Sequence, residues 1–327
     1  MIVADDFGYL DARVRARRAE LLPEGFFTEA LRVNFADFLR LLAETPYGAH
    51  LAGEGLADVD RAVAAYFDAR VADLPALASG DAARALRLLF LRADLVNLKA
   101  ILRAKQAGRP LEEVRARLAG GTLPRPLLEA LLEAPDLASM AQLMVLPGHP
   151  LAAAMRAAAR VGDPLRAEVV LDRAFFAAVL KEAREIGGLL ADYFQLEVDL
   201  TNLGTALKLA AMGMKEGLED YYVPGGRYVT PALFHRIAQG EPGALAELAD
   251  TPLAPVAQAQ DLKTFERAAR CLLLALAAKG RYDVLGPGLA LDFVRRKEWE
   301  AARIRLAARR AYYNLPPEAI EEEVVCS

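Results

Sequence analysis

The residues best spaced for chemistry are two acid–amide pairs, Asp94 with Asn97 and Asp199 with Asn202, each set in an Asp-x-x-Asn-Leu pattern. On a helix this spacing puts both polar groups on one face. There they could hold a metal, exchange a proton, or bond neighbouring backbone ends and fix how helices dock. The pattern recurs at matching places, and one active site rarely comes in two copies per chain, so the architectural role is favoured. Other chemistry is thinly represented. His50, His149 and His235 lie in separate segments with no HExxH or ExxH spacing, so zinc and di-iron sites lack paired ligands. Cys271 and Cys326 are far apart and have no CxxC partner, which predicts neither a disulfide framework nor a metal site and fits a reducing compartment. No G-x-x-x-x-G-K-[ST] loop is present to cradle phosphates. Gly286-Pro287-Gly288 begins a G-x-G pattern, but Leu291 stands where the third glycine belongs. The pattern predicts a chain without catalytic residues, cofactor or metal.

The elements that must position these pairs are helical. Leu88, Leu91, Leu95, Leu98 and Leu102 follow a 3-4-3-4 spacing, the seam of a helix, and Leu86, Leu89, Phe90 and Ile101 make its other flank apolar too. Such a helix needs neighbours on both sides. β-Branched clusters are scarce and no Asn-Gly or Asp-Gly hairpin turn separates alternating runs, so the fold class expected is all-α. Of 327 residues 54% are hydrophobic and 26% charged, which excludes a disordered chain, and the length exceeds one ordinary core of roughly 250–300 residues.

Overlaying the chain on itself resolves that excess as repetition. Gly120-Gly121 through Pro126 matches Gly225-Gly226 through Pro231, 105 residues on, and Leu128, Met140, Leu143 and Pro147 then fall on Leu233, Leu245, Leu248 and Pro252. A copy 101 residues upstream aligns Phe27, Leu39, Leu42 and Pro46. The acid–amide landmark steps by 105 from Asp94 to Asp199 and then by 99 to Glu298, where Ala301 replaces the asparagine. Asp60-Arg61-Ala62 answers Asp172-Arg173-Ala174 more loosely. Three helical units are expected, over residues 1–110, 111–215 and 216–327. That period is too long for the solenoid repeats of roughly 33–47 residues.

Charge is nearly balanced, with 40 Lys+Arg against 44 Asp+Glu and a net charge of −4, which disfavours a nucleic-acid binder. Met1-Ile2-Val3-Ala4 runs into Asp5-Asp6 without a secretory pattern, and no apolar run approaches the ~20 residues of a membrane span. Locally the chain is uneven. Arg13 and Arg15 stand on the first helix, and Arg295, Arg296, Arg303 and Arg310 on the last long one, before an acidic tail from Glu318 to Glu323. These arginines read either as a solvated face or as a docking surface for an acidic partner or lipid headgroups.

Together, Tyr9-Leu10-Asp11-Ala12-Arg13-Val14-Arg15, Phe38-Leu39-Arg40-Leu41-Leu42 before Pro46, the repeated Asp-x-x-Asn-Leu, and Lys297 through Arg305 (Lys-Glu-Trp-Glu-Ala-Ala-Arg-Ile-Arg) carry a resemblance that spans the whole chain. The sequence resembles the C-subunit family of prokaryotic V/A-type rotary ATPases, which is similar to the d subunit of the eukaryotic vacuolar enzyme. The resemblance implies a funnel of three similar helical subdomains about a pseudo-threefold axis. It implies a non-catalytic adaptor that joins central-stalk subunits D and F to the membrane proteolipid ring, admits the stator membrane subunit as a further partner, and passes on the rotation that couples ATP chemistry to proton transport. The location implied is cytoplasmic, peripheral on the inner face of the plasma membrane. Ala301, where the other copies carry asparagine, departs from threefold equivalence. The alternative is an all-helical scaffold that recruits protein partners without a rotor.

Overall fold

Helix boundaries follow from capping chemistry. Asn34, Asp136, Asp163 and Thr230 each accept a backbone N–H from the first turn of the helix they precede. Proline occupies an early helical position in several others, where its missing N–H costs nothing. Gly187 and Gly188, with φ of 80° and 65°, separate a pair of long helices at a point no β-carbon would tolerate without strain.

In the computed structural model, which describes residues 7–259 and 261–326, the chain is all-α and carries no strand among those residues. The reading of Met1–Asp6 as lacking a leader lies outside the described residues. The helices are α1 (Phe7–Arg18), α2 (Glu24–Ala30), α3 (Phe35–Ala43), α4 (Leu56–Val71), α5 (Gly80–Ala107), α6 (Leu111–Arg115), α7 (Arg125–Glu133) and α8 (Leu137–Leu143). They continue as α9 (Pro150–Ala158), α10 (Pro164–Ile186), α11 (Leu189–Ala211), α12 (Pro231–Ala238), α13 (Ala254–Ala257), α14 (Leu262–Ala278), α15 (Gly288–Tyr312) and α16 (Glu318–Val324). None among the described residues is long and apolar enough to cross a membrane.

The chain divides into two compact units. One comprises residues 1–94, 110–123 and 279–327, so chain start and chain end share it. Its core is built by Phe26, Phe27, Phe38, Leu42, Tyr47, Val59, Val63 and Tyr66 from the first copy, with Ala301, Ile304, Ala308 and Ala311 of α15. The other comprises residues 95–109 and 124–278, in which α11 packs against α10, α12 and α14. Neither Cys271 nor Cys326 is a free thiol.

The long helices carry the repeated acids, and each acid fastens to the copy that follows. Asp94 on α5 accepts the Thr122 N–H at 2.8 Å and the Leu123 N–H at 3.0 Å. Asp199 on α11 accepts the N–H groups of Arg227, Tyr228 and Val229 at 2.9–3.1 Å. Both carboxylates are fully buried, and both loops approach through glycine: a β-carbon on Gly121 would sit 2.0 Å from Asp94 Oδ1, and one on Gly226 2.2 Å from Asp199 Oδ1. Asn202 completes the second fastening, exchanging hydrogen bonds with the Val223 N–H and C=O at 2.8 and 2.7 Å, while Asn97 lies buried one turn beyond Asp94.

In the third copy the structure gives this role to Glu300, not Glu298. Glu300 accepts the Leu22 N–H at 2.6 Å, ahead of α2, whereas Glu298 pairs with Arg295 at 2.8 Å. The step from Asp199 is therefore 101 residues, which places Arg303 opposite Asn202 and Ile304 opposite Leu203. An overlay by residue type misses it because aspartate has become glutamate. Residues 19–23, which Glu300 meets, contain no glycine, unlike the Gly120-Gly121 and Gly225-Gly226 loops that meet the aspartates.

The same register explains a second set of contacts. Lys99, Gly204 and Arg305 are equivalent positions on α5, α11 and α15. Lys99 pairs with Asp172 of α10 at 2.8 Å, and Arg305 lies 3.4 Å from Asp60 of α4. At Gly204 the ion pair is replaced by packing, since Phe265 of α14 fills the space a side chain would need, 2.9 Å from a β-carbon there. Burial raises the Asp172 pKa despite the Lys99 ammonium, and burial raises that of Asp199 against its backbone donors.

Removing a buried carboxylate that satisfies several backbone donors orphans all of them, at roughly 1–3 kcal/mol per group. Asp199→Ala should therefore lower the urea midpoint by an amount equivalent to about 3 kcal/mol, with Asp199→Asn recovering some of the loss because its carbonyl still accepts. Urea titrations of the full chain followed by circular dichroism check this, and a midpoint equal to the unaltered chain's would refute it.

Candidate docking surfaces

The six arginines read from the sequence as docking candidates separate sharply. Arg13 and Arg15 are exposed on α1. Their neighbours are not available: Arg17 forms a two-pronged pair with Asp73 at 2.6 and 2.7 Å and bonds the Arg70 carbonyl, and Arg18 pairs with the buried Asp292 at 2.9 Å. On α15 the cations turn inward. Arg295 is 4% and Arg303 6% exposed, Arg296 bonds Asp292 at 2.7 Å, and Arg310 donates to the Val33 carbonyl. Arg303 makes a bidentate pair with Glu24 and lies 3.6 Å over the Phe27 ring. Arg309 reaches Asp60 at 2.7 Å. Arg295 and Arg296 thus pair with acids of α15 itself, while Arg303, Arg309 and Arg310 join the last helix to the first copy.

At the heart of that joint lies a buried charge cluster. Lys297, 1% exposed, bonds Glu300 and lies 5.0 and 4.4 Å from the ring centres of Tyr47 and Tyr66. Tyr47 donates to Glu300 at 2.6 Å, and Tyr66 to Glu20 at 2.9 Å. Burial lowers the Lys297 pKa against the pull of Glu300, and burial pushes Tyr66 up to about 12. The cations rest on aromatic faces and carboxylates, as buried charges must. No group of three or more His, Cys, Asp or Glu is placed to hold a metal among the described residues. His149 caps α9 through Nδ1, and His50 faces Tyr66.

Apolar side chains reach solvent at both ends of α15. Before its N-terminus, Tyr282, Val284 and Leu285 are exposed, with Tyr9 of α1 on the same unit. Leu285 takes φ of 61°, and a methyl at Gly8 would lie 3.5 Å from its Cδ2, so the loop rests against α1. At the C-terminus Tyr312, Tyr313 and Leu315 are exposed, with Phe35 edge-on to Tyr312 at 5.0 Å. A helix of 25 residues separates the two patches by about 37 Å. No periodicity in the sequence marks either patch. The signal available is aromatic and aliphatic residues inside breaker-rich loops, Tyr282 to Leu285 before Gly286 and Tyr312 to Leu315 before Pro316-Pro317.

Comparison with known proteins gives this helix-joined chain a family. The ATP synthase (C/AC39) subunit family profile matches residues 10–323. The chain belongs to that family. It is 51% identical to the V-type ATP synthase C subunit of Thermus thermophilus, over 99% of this chain and 100% of that one. Similarity to the V-type ATP synthase C subunit of Deinococcus radiodurans is 33% over 98% and 91% of the two chains, and to the A-type ATP synthase C subunit of Haloferax volcanii 26% over 97% of each. As a C/AC39 subunit it is part of a V-type ATP synthase complex.

The internal and external arginines predict different outcomes. Arg303→Ala should destabilise the chain by about 1–2 kcal/mol, since it strips a buried guanidinium from the Phe27 ring while the exposed Glu24 is left in water. Arg13→Ala and Arg15→Ala should stay within ~0.5 kcal/mol. Thermal melts of the three variants distinguish them; equal shifts would refute the division. A pH effect accompanies it. The hydrogen bond from Arg17 holds Asp73, and that from Arg303 holds Glu24, below the usual carboxylate range. A carboxyl with its pKa lower in the folded state stabilises the fold above its unfolded pKa, and that support fades as pH falls through the depressed value. Both are largely solvent-screened, so Asp73→Asn with Glu24→Gln should flatten the acid limb of the melting curve only slightly, between about pH 5 and 3.

Proposed function

We propose that this C/AC39 subunit is a non-catalytic rotor adaptor, joining central-stalk subunits D and F to the membrane proteolipid ring. In that role it passes on the rotation that couples ATP hydrolysis or synthesis to proton transport, and sits on the inner face of the plasma membrane as a peripheral part of the complex. The observation that supports this reading best is the pair of exposed apolar patches at opposite ends of α15. An adaptor needs two separate docking faces and a stiff body between them. A helix tied to its neighbours by buried carboxylates and arginine pairs supplies stiffness that a linker cannot.

The repeat over residues 1–110, 111–215 and 216–327 is consistent with three similar subdomains about a pseudo-threefold axis, the arrangement we propose for the assembled adaptor. Apolar contacts would supply most of the holding energy and exposed charge would set association rate and register. The purified chain should hydrolyse no ATP and should bind the isolated D–F pair. Pull-down with that pair, with and without ~0.5 M salt, tests this. Weakened but persistent binding in salt is expected; absence of binding at both concentrations would overturn the proposal.

A further inference from the structure

Charge at the joint between α15 and α4 does not balance, and the repeat contains a balanced version of the same joint. In the register set by the buried acids, Arg305 and Arg309 stand five and nine residues beyond Glu300, as Lys99 and Arg103 stand beyond Asp94. Asp60 of α4 answers Asp172 of α10, as in the overlay of Asp60-Arg61-Ala62 on Asp172-Arg173-Ala174. Between α5 and α10 two cations meet two acids. Lys99 lies 2.8 Å from Asp172 and 3.3 Å from Glu168, and Arg103 makes a bidentate pair with Glu168. Four residues before Asp60, where the counterpart of Glu168 falls, stands Leu56. Two arginines are left to share one carboxylate.

They share it unequally. Arg309 donates to Asp60 Oδ2 at 2.7 Å, whereas Arg305 Nε stops 3.4 Å from Oδ1, and neither of these last two atoms is hydrogen-bonded among the described residues. The Arg305 side chain is 22% exposed and that of Asp60 10%, so the surplus charge is held largely out of water, where it is costly. Burial lowers the Arg305 pKa against the pull of Asp60, and Arg309 and Arg117 push the same way as burial. Arg117 arrives on the segment after α6, which is fixed beside α4: the Gly120 N–H is donated at 3.2 Å to Asp68, two turns beyond Asp60. The Arg117 side chain is exposed and has no partner among the described residues. Acids on adjoining turns are engaged elsewhere, Asp58 with Arg61 and Glu112 with Arg115, while Glu113 is exposed and pairs with none of the three arginines.

We propose that Arg117, Arg305 and Arg309 bind a phosphate group, which takes the place that Glu168 fills at the balanced joint. Three guanidiniums less the Asp60 carboxylate leave two positive charges. Inorganic phosphate or a phosphate monoester, at about −1.5 to −2 near pH 7, matches that surplus better than a single carboxylate does. The planar guanidinium fork also suits phosphate oxygens. This site stands whether or not the adaptor reading does.

Binding is read from calorimetry and thermal melts of the full chain. Inorganic phosphate should raise the melting temperature above that in chloride of equal ionic strength. Arg117→Gln, at an exposed position that costs the fold little, should weaken binding about tenfold. Leu56→Glu supplies the acid that the balanced joint has and should abolish the phosphate shift. Leu56 also touches the core of its unit, so Arg117→Gln carries the test if Leu56→Glu fails to fold. ATP, and vesicles of phosphatidylcholine and phosphatidic acid in equal parts, separate the two sources of phosphate. Binding of ATP and inorganic phosphate, both weakened by Arg117→Gln, supports the site with a free ligand. Capture on the vesicles, lost in Arg117→Gln, supports it with a lipid headgroup. Binding of none of the three, binding that both substitutions leave unchanged, or an equal shift from acetate overturns the proposal.

Discussion

A carboxylate buried on a long helix, accepting backbone N–H groups from a loop more than twenty residues away, is the constraint on which this fold depends. Asp94 accepts two such groups and Asp199 three, while Glu300 accepts one, from Leu22, and fills its remaining capacity with the Tyr47 hydroxyl and Lys297. A loop brought against a helix carries donors that cannot be left dry, and a charged acceptor answers two or three of them at once. The arrangement also dictates composition nearby. Where the acceptor is aspartate the loop needs glycine to come close enough; where the loop has side chains instead, the acceptor is glutamate.

The fastening points outward from each copy rather than into it, because the acid on one copy's long helix grips the loop that opens the next. The ion pairs and packing at Lys99, Gly204 and Arg305 follow the same direction. Sequence period and packing partner therefore differ: α15 falls in the third stretch of the sequence overlay but packs on residues of the first. That explains why Arg303 is buried and Arg309 half-buried: they face Glu24 of α2 and Asp60 of α4, more than 200 residues earlier in the chain.

Helical class, the absence of strands among the described residues, and the places of Asp94 and Asp199 are legible because they rest on local periodicity and a fixed offset of 105. The third copy is misregistered by two residues in the sequence, since Glu298 preserves the acid's apparent place while Glu300 preserves its reach. The arginines mislead for a related reason: a run of cations looks the same in sequence whether it meets solvent or buried carboxylates, and only the fold supplies Glu24 and Asp60. The apolar ends at Tyr282 and Tyr312 lie in breaker-rich segments, where a hydrophobic side chain has no periodicity to betray its direction.

The core shared by chain start and chain end has a consequence for biosynthesis. Phe27, Phe38, Tyr47 and Val63 leave the ribosome early, yet the helix that covers them, with Ala301, Ile304 and Ala308, is among the last segments made. At about 5–20 residues per second the first copy waits on the order of ten to forty seconds with its aromatic face unshielded. During that interval another nascent chain's α15 is as good a partner as its own, so crowded polysomes offer a direct route to swapped dimers.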